Sequence, residues 1–213
     1  GGAMGIGGAT SRSLADSGAK VLIADIAIES AETNARAIRE RGGTVLVVEA
    51  DVSKALSIKN MIDHAIEEWG RLDILVNNAA GAKMGLPSQV SAADRRWMME
   101  LNLNAPIDLA QQALPGMCER GAGWILNISS VTSEQPLVPY RDSAVAAHVI
   151  AAYGATKAGL HQFGQSLFAE VRQSGVRVVT LYPDMTMTPF YDETDFAPHN
   201  DHTCHITPEC VAD

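Results

Sequence analysis

The chain is short of cations: 16 lysines and arginines stand against 25 aspartates and glutamates, a formal net charge of −9. A surface of that sign repels phosphate backbones and anionic lipid, which argues against nucleic acid and membranes as partners. Long apolar runs are missing as well. No stretch approaches the ~18 consecutive apolar residues of a spanning helix. The first residues show no basic segment leading into an apolar one, so no secretory segment is marked. Cysteine is scarce: Cys118, Cys204 and Cys210 are an odd set in 213 residues. That points to reduced thiols and a cytoplasmic setting. Internal repeats, low-complexity tracts and interdomain linkers are absent too. With 46% hydrophobic residues, the chain can bury a real core and reads as one globular domain, residues 1–213.

What is present alternates. Apolar strand-like runs recur at 20–25, 44–49, 72–77, 123–128 and 176–182, separated by helical patterns at 29–41, 54–69, 91–118 and 154–173. Strands alternating with helices predict an α/β fold, a doubly wound parallel sheet covered on both faces. Gly42-Gly43, Gly70, Gly121 and Gly175 punctuate the helix ends, as glycine does where a helix must stop.

Three local patterns carry chemistry. Tyr153 and Lys157 are four apart in a helical pattern, which makes them neighbours on one face. A phenol titrates near ~10, and a nearby cation draws it toward the neutral range where it can serve as an acid-base. Alone, such a pair is as readily a solvated helix face. The second pattern is the glycine-rich turn Gly1-Gly2-Ala3-Met4-Gly5-Ile6-Gly7, opening onto a helix-compatible run that stops at Ser17-Gly18. Glycine lets the backbone approach a ligand, and a helix amino end offers N–H groups to a pyrophosphate. The third is Asp25, closing the apolar run Lys20–Asp25. A carboxylate at that strand end can accept both ribose hydroxyls of NAD and repels a 2′-phosphate. Neither Met4 nor Ile26 supplies the cation that NADP would favour. An ordinary tight loop and a strand-end cap are the plain alternatives, but the two features in series favour NAD.

With these residues in order, the chain resembles the short-chain dehydrogenase/reductase family over essentially its whole length. Gly1, Gly5 and Gly7 match the family's GxxxGxG, and Asp51-Val52 follows an apolar run where the family contacts adenine. Asn77-Asn78-Ala79-Ala80 is similar to its Asn-Asn-Ala-Gly strand end, with Ala80 replacing glycine. Asn102 falls at the catalytic asparagine, Ser130 at the catalytic serine, and Tyr182-Pro183-Asp184 through Thr188 at the Pro-Gly-x-x-x-Thr segment. The resemblance implies a Rossmann-like three-layer α/β/α sheet and a hydride transfer between NAD(H) and a secondary alcohol or ketone. Tyr153 would be the general acid-base and Lys157 would lower its pKa and hold the nicotinamide ribose. Ser130 would orient the substrate oxygen, and Asn102 would hold a relay water. Gly1, Met4, Gly5, Ile6, Gly7, Asp25, Ile26, Asp51, Val52, Asn78, Ala79, Ala80, Tyr153, Lys157, Pro183, Thr186 and Thr188 would contact the cofactor. It further implies a homodimer or homotetramer paired through helices at about 102–118 and 154–173.

The chain also departs from the pattern. The family's first strand precedes the glycine turn, and its last strand follows the helix that Thr207-Pro208-Glu209 announces, so the sheet is expected to lack both strands. Ser130 and Tyr153 are 23 positions apart, further than in the family. The extra residues at about 131–152 predict a specificity loop near the substrate or a tolerated surface insertion. Tyr140 is no rival for the catalytic tyrosine, because Ala144 stands where a lysine is needed. Asp184 replaces the family's glycine. Residues 185–206 would form a substrate lid; His199, His202, Cys204 and His205 there fit no trusted metal-ligand spacing, so no metal is assigned. Some relatives bind cofactor without turnover but lose the tyrosine or lysine; a non-catalytic binding protein or an inactive fragment is the alternative reading.

Overall fold

The computed structural model describes residues 1–134, 150–184, 186–191 and 206–212. The expected insertion loop at 136–143 and most of the expected lid, with His199, His202, Cys204 and His205, lie outside the described residues. The chain divides into two compact units, residues 1–51 with 184–213, and residues 52–183.

In the first unit, β1 (Val21–Asp25) and β2 (Val45–Glu49) pair in parallel, from Val21 against Val45 to Asp25 against Glu49. Parallel neighbours need a crossover connection, and α2 (Ile28–Glu40) supplies it. Ala31, Ala35 and Ile38 give α2 a narrow inner face, each 0% exposed, which packs with Val21, Ile23 and Val45. Small residues one turn apart let the helix lie close on the strands. α1 (Gly5–Asp16) adds Ala15 to the same core. α7 (Pro208–Ala212) starts as the sequence predicts: the Thr207 hydroxyl accepts the Cys210 N–H at 3.4 Å, with Pro208 in the first turn.

In the second unit, β3 (Ile74–Asn77), β4 (Gly123–Ile128) and β5 (Val176–Leu181) form a parallel sheet in that order. α3 (Ala55–Trp69), α5 (Ala105–Arg120) and α6 (Ala151–Val171) cover it through Ile58, Ile62, Leu109, Met117, Leu167 and Val171. These meet Leu75 and Ile125 on the strands, and each such side chain contributes about 1.5–3 kcal/mol by leaving water. Gly70 and Gly121 end α3 and α5 at φ +75° and +68°, a left-handed turn that a side chain would strain. Parallel strands joined by covering helices make this a Rossmann-like α/β fold.

The helical stretch expected over 91–118 is broken. α4 (Ala92–Met99) passes into one π-turn, Glu100–Asn104, before α5 begins. The Ser91 hydroxyl caps α4 by accepting the Asp94 N–H at 3.0 Å. A π-turn inserts one residue into the helical register and recurs at functional sites. Here it falls on Asn102.

Candidate active site

Four chain segments meet at the carboxyl end of β4 in the second unit. β4 runs out at Ile128, and the next two residues diverge. Ser129 is 3% exposed; its hydroxyl donates to the Lys157 carbonyl at 3.0 Å and its N–H to Leu181 at 2.8 Å. It fastens α6 and β5 to β4. The half-buried Ser130 starts the 3-10 turn Val131–Ser133, where its Oγ accepts the Thr132 N–H at 3.2 Å. The Val131 N–H donates to the Pro183 carbonyl at 3.2 Å, which holds the end of β5 beside this turn.

On α6, the Lys157 ammonium donates to the Ile128 carbonyl at 2.7 Å and lies 5.6 Å from the centroid of the Tyr153 ring. Lys157 is 2% exposed, and burial pushes its pKa down to about 7. An apolar surround disfavours the charged form. The pair thus combines a phenol with an amine that titrates in the neutral range.

Asn102 is 1% exposed and ties three elements together. Its Nδ2 donates to the Gly81 carbonyl at 2.9 Å and to Thr156 Oγ1 at 3.1 Å, while its Oδ1 accepts the Gly81 N–H at 2.9 Å. Thr156 in turn donates to the Tyr153 carbonyl at 2.7 Å. The loop after β3 is thereby held to the helix that carries Tyr153. Ala79 packs against the unit's core, as does buried Val52. The parts that sequence reasoning missed are the carbonyl of Ile128, the tether Ser129, and the Gly81–Thr156 clamp. No motif marks them, because two are backbone groups and Thr156 looks like filler between Tyr153 and Lys157.

The first unit holds a cradle of backbone. α1 begins at Gly5, earlier than the sequence predicts, with φ +55° there and no side-chain cap from Met4. A Cβ on Gly5 would lie 3.1 Å from the Thr188 Cβ, and one on Gly8 only 2.9 Å from the Ala3 carbonyl oxygen. Asp25, 9% exposed, accepts the Ala3 N–H at 3.0 Å and the Ala27 N–H at 2.9 Å. Its carboxylate is therefore fixed beside the turn. Met4 and Ile26 are 45% and 70% exposed, and neither side chain carries a charge. Thr186 is buried and bridges to Ile206. A close-packed glycine turn, an uncapped helix start and a fixed carboxylate are features that a dinucleotide site uses.

The family profile described as short chain dehydrogenase matches residues 1–197. This chain belongs to the short-chain dehydrogenase/reductase family. It is 36% identical over 190 residues to a cis-4-hydroxycyclohexanecarboxylate dehydrogenase of Sinomonas cyclohexanicum, covering 89% of this chain and 72% of that one. Oxidoreductase UcpA of Escherichia coli is 34% identical over 185 residues, 87% of this chain and 66% of the relative. Among solved structures, an alcohol dehydrogenase from Thermococcus sibiricus complexed with 5-hydroxy-NADP superposes with a TM-score of 0.85 at 25% identity, over 100% of this chain and 84% of that one. A gluconate 5-dehydrogenase from Burkholderia cenocepacia with NADP and tartrate gives 0.79 at 31% identity, over 90% and 71%. The family is one of oxidoreductases that use a nicotinamide nucleotide, and among the described residues no helix is long and apolar enough to cross a membrane.

Proposed function

We propose that this short-chain dehydrogenase moves a hydride between NAD(H) and a secondary alcohol or ketone, with Tyr153 as general acid-base. The observation that carries the reading is the Tyr153–Lys157 pair on α6, with the lysine buried against the Ile128 carbonyl. In the oxidative direction, the Tyr153 phenolate accepts the proton of the substrate hydroxyl as the carbinol carbon gives up its hydride. A protonated Lys157 favours that phenolate. Ser130 Oγ accepts the Thr132 N–H and can still donate its own proton to the substrate oxygen, while Ser129 is committed to α6. Asn102 would hold the relay water from its fixed place in the π-turn. The bound nicotinamide supplies the hydride acceptor or donor. Gly1, Met4, Gly5, Ile6 and Gly7 would take the pyrophosphate, Asp25 and Ile26 the adenosine ribose, Asp51 and Val52 the adenine. Asn78, Ala79, Ala80, Pro183, Thr186 and Thr188 would complete the nicotinamide half.

NAD preference rests on Asp25, whose charge opposes a 2′-phosphate, and on the absence of a cation at Met4 and Ile26. The NADP found in solved relatives makes this the first point to test. Titration with NADH and NADPH, followed by cofactor fluorescence, is expected to give the tighter constant for NADH. Tighter NADPH binding would overturn the preference, and binding of neither would overturn the cofactor assignment. The cyclic hydroxy acid in the name of the Sinomonas relative is the first substrate to screen. Self-association through α5 and α6 is also proposed, supported by Phe168 lying 53% exposed on α6; light scattering that returns a monomer mass would refute it.

A further inference from the structure

The glycine turn is held from behind by a side chain outside every motif named above. Asn34 lies on α2 and is 6% exposed. Its Nδ2 donates to the Gly2 carbonyl at 3.1 Å and to the Gly8 carbonyl at 3.2 Å. Those carbonyls stand on either side of the Ala3–Gly7 turn. Its Oδ1 accepts from Arg12 Nη1 at 3.0 Å, and the other arm of that guanidinium reaches Glu209 Oε1 at 3.0 Å on α7. Arginine can only donate, so it fixes which way the Asn34 amide points: oxygen to Arg12, nitrogen to the turn. Ser11 shares its one hydroxyl proton between the Gly7 carbonyl at 2.8 Å and the Gly2 carbonyl at 3.2 Å. Gly8 has no room for a Cβ against the Ala3 oxygen, so the turn cannot be restored by simple repacking at that point.

We propose that Asn34 is the positioning residue of the dinucleotide-binding turn. By tethering the Gly2 and Gly8 carbonyls it holds the amino end of α1 in the geometry that receives a pyrophosphate, and Arg12 sets its orientation. Preorganised amides bind an anion more tightly than amides that must be ordered on binding. The inference rests on the cofactor reading above.

The test uses the full chain and three probes: NADH, ADP-ribose, which carries the pyrophosphate, and adenosine, which does not. Asn34→Asp keeps the size and the partner for Arg12 but turns both donors into an oxygen facing two carbonyl oxygens. It is expected to weaken NADH and ADP-ribose about tenfold, the scale of one or two lost hydrogen bonds, with adenosine within about twofold. Asn34→Ser, with one short donor, is expected to lose about threefold on ADP-ribose alone, and carries the test if the aspartate variant does not fold. A merely structural role predicts a lower Tm with all three affinities unchanged when measured well below that Tm, and this result overturns the proposal. So does a parallel loss on adenosine. If the wild-type chain binds none of the probes, the cofactor reading itself falls, an outcome separate from wild-type binding that Asn34→Asp leaves intact.

Discussion

The proposed nucleotide cradle and the proposed catalytic centre are built on opposite plans. The cradle is backbone: Gly5 and Gly8 pack so closely that a Cβ would collide, Asp25 is held by two amides, and Asn34 and Ser11 grip carbonyls. The catalytic centre is side chain: Lys157, Asn102 and Ser129 are buried polar groups, each spending its hydrogen bonds on a neighbouring element. The difference teaches where each fails. A cradle is harmed by atoms added, whereas a polar centre is harmed by atoms removed, because a buried group without its partner costs about 1–3 kcal/mol.

The largest expected effect sits in the centre. Tyr153→Phe removes one hydroxyl and is expected to lower kcat by roughly 10²–10⁴, while the NADH dissociation constant stays within about twofold. Retained turnover in steady-state assays would sink the acid-base assignment and with it the contrast. Lys157→Met comes next and separates function from stability. It is expected to remove most activity yet raise the stability of the ligand-free chain at pH 6. The sign follows from burial: a lysine whose folded pKa is about 7 and whose unfolded value is ~10.4 binds its proton more weakly when folded. Wild-type stability from this group therefore rises with pH between those values, and below the lower one the native state bears the full cost of a buried ammonium. The methionine variant escapes that cost, on the order of 1–2 kcal/mol net of the lost Ile128 contact. Thermal melts should show its advantage at pH 6 and a smaller one at pH 9. An advantage that grows with pH would contradict the burial argument.

Two smaller changes sharpen the comparison. Asn102→Ala strands the Gly81 N–H and carbonyl and is expected to destabilise by about 1–3 kcal/mol in urea unfolding. A change below that range would mean the clamp is replaced by water. Gly8→Ala adds one methyl against the Ala3 oxygen at 2.9 Å. It is expected to cost about 1–2 kcal/mol and to weaken NADH binding, where an alanine in an ordinary helix would stabilise. A stabilised Gly8→Ala chain would mean that the cradle has slack.

Much of this was legible beforehand, for identifiable reasons. The strand at 123–128 coincides with Gly123–Ile128, because glycine and an apolar run bound it. The helix stop at Gly121 and the cap at Thr207 appear where turn and capping chemistry put them. The interruption at Glu100–Asn104 was not legible, since a π-turn changes register by one residue without changing composition. Ser129 and Ser130 are adjacent and chemically identical, so only the pleat, which sends one side chain into α6 and the next away, tells them apart.

What the sequence determined by itself is what depends on local order: the alternation of strands and helices, the glycine turn, the Tyr153–Lys157 spacing, and the acid closing β1. These are periodicities and neighbours along the chain. The tertiary structure alone decided which polar groups meet across it: Lys157 with the Ile128 carbonyl, Asn102 with Gly81 and Thr156, Asn34 with Gly2 and Gly8. Buried donors and acceptors must be paired, but the requirement names no partner; the partner is whichever backbone group the packed strands and helices bring within reach.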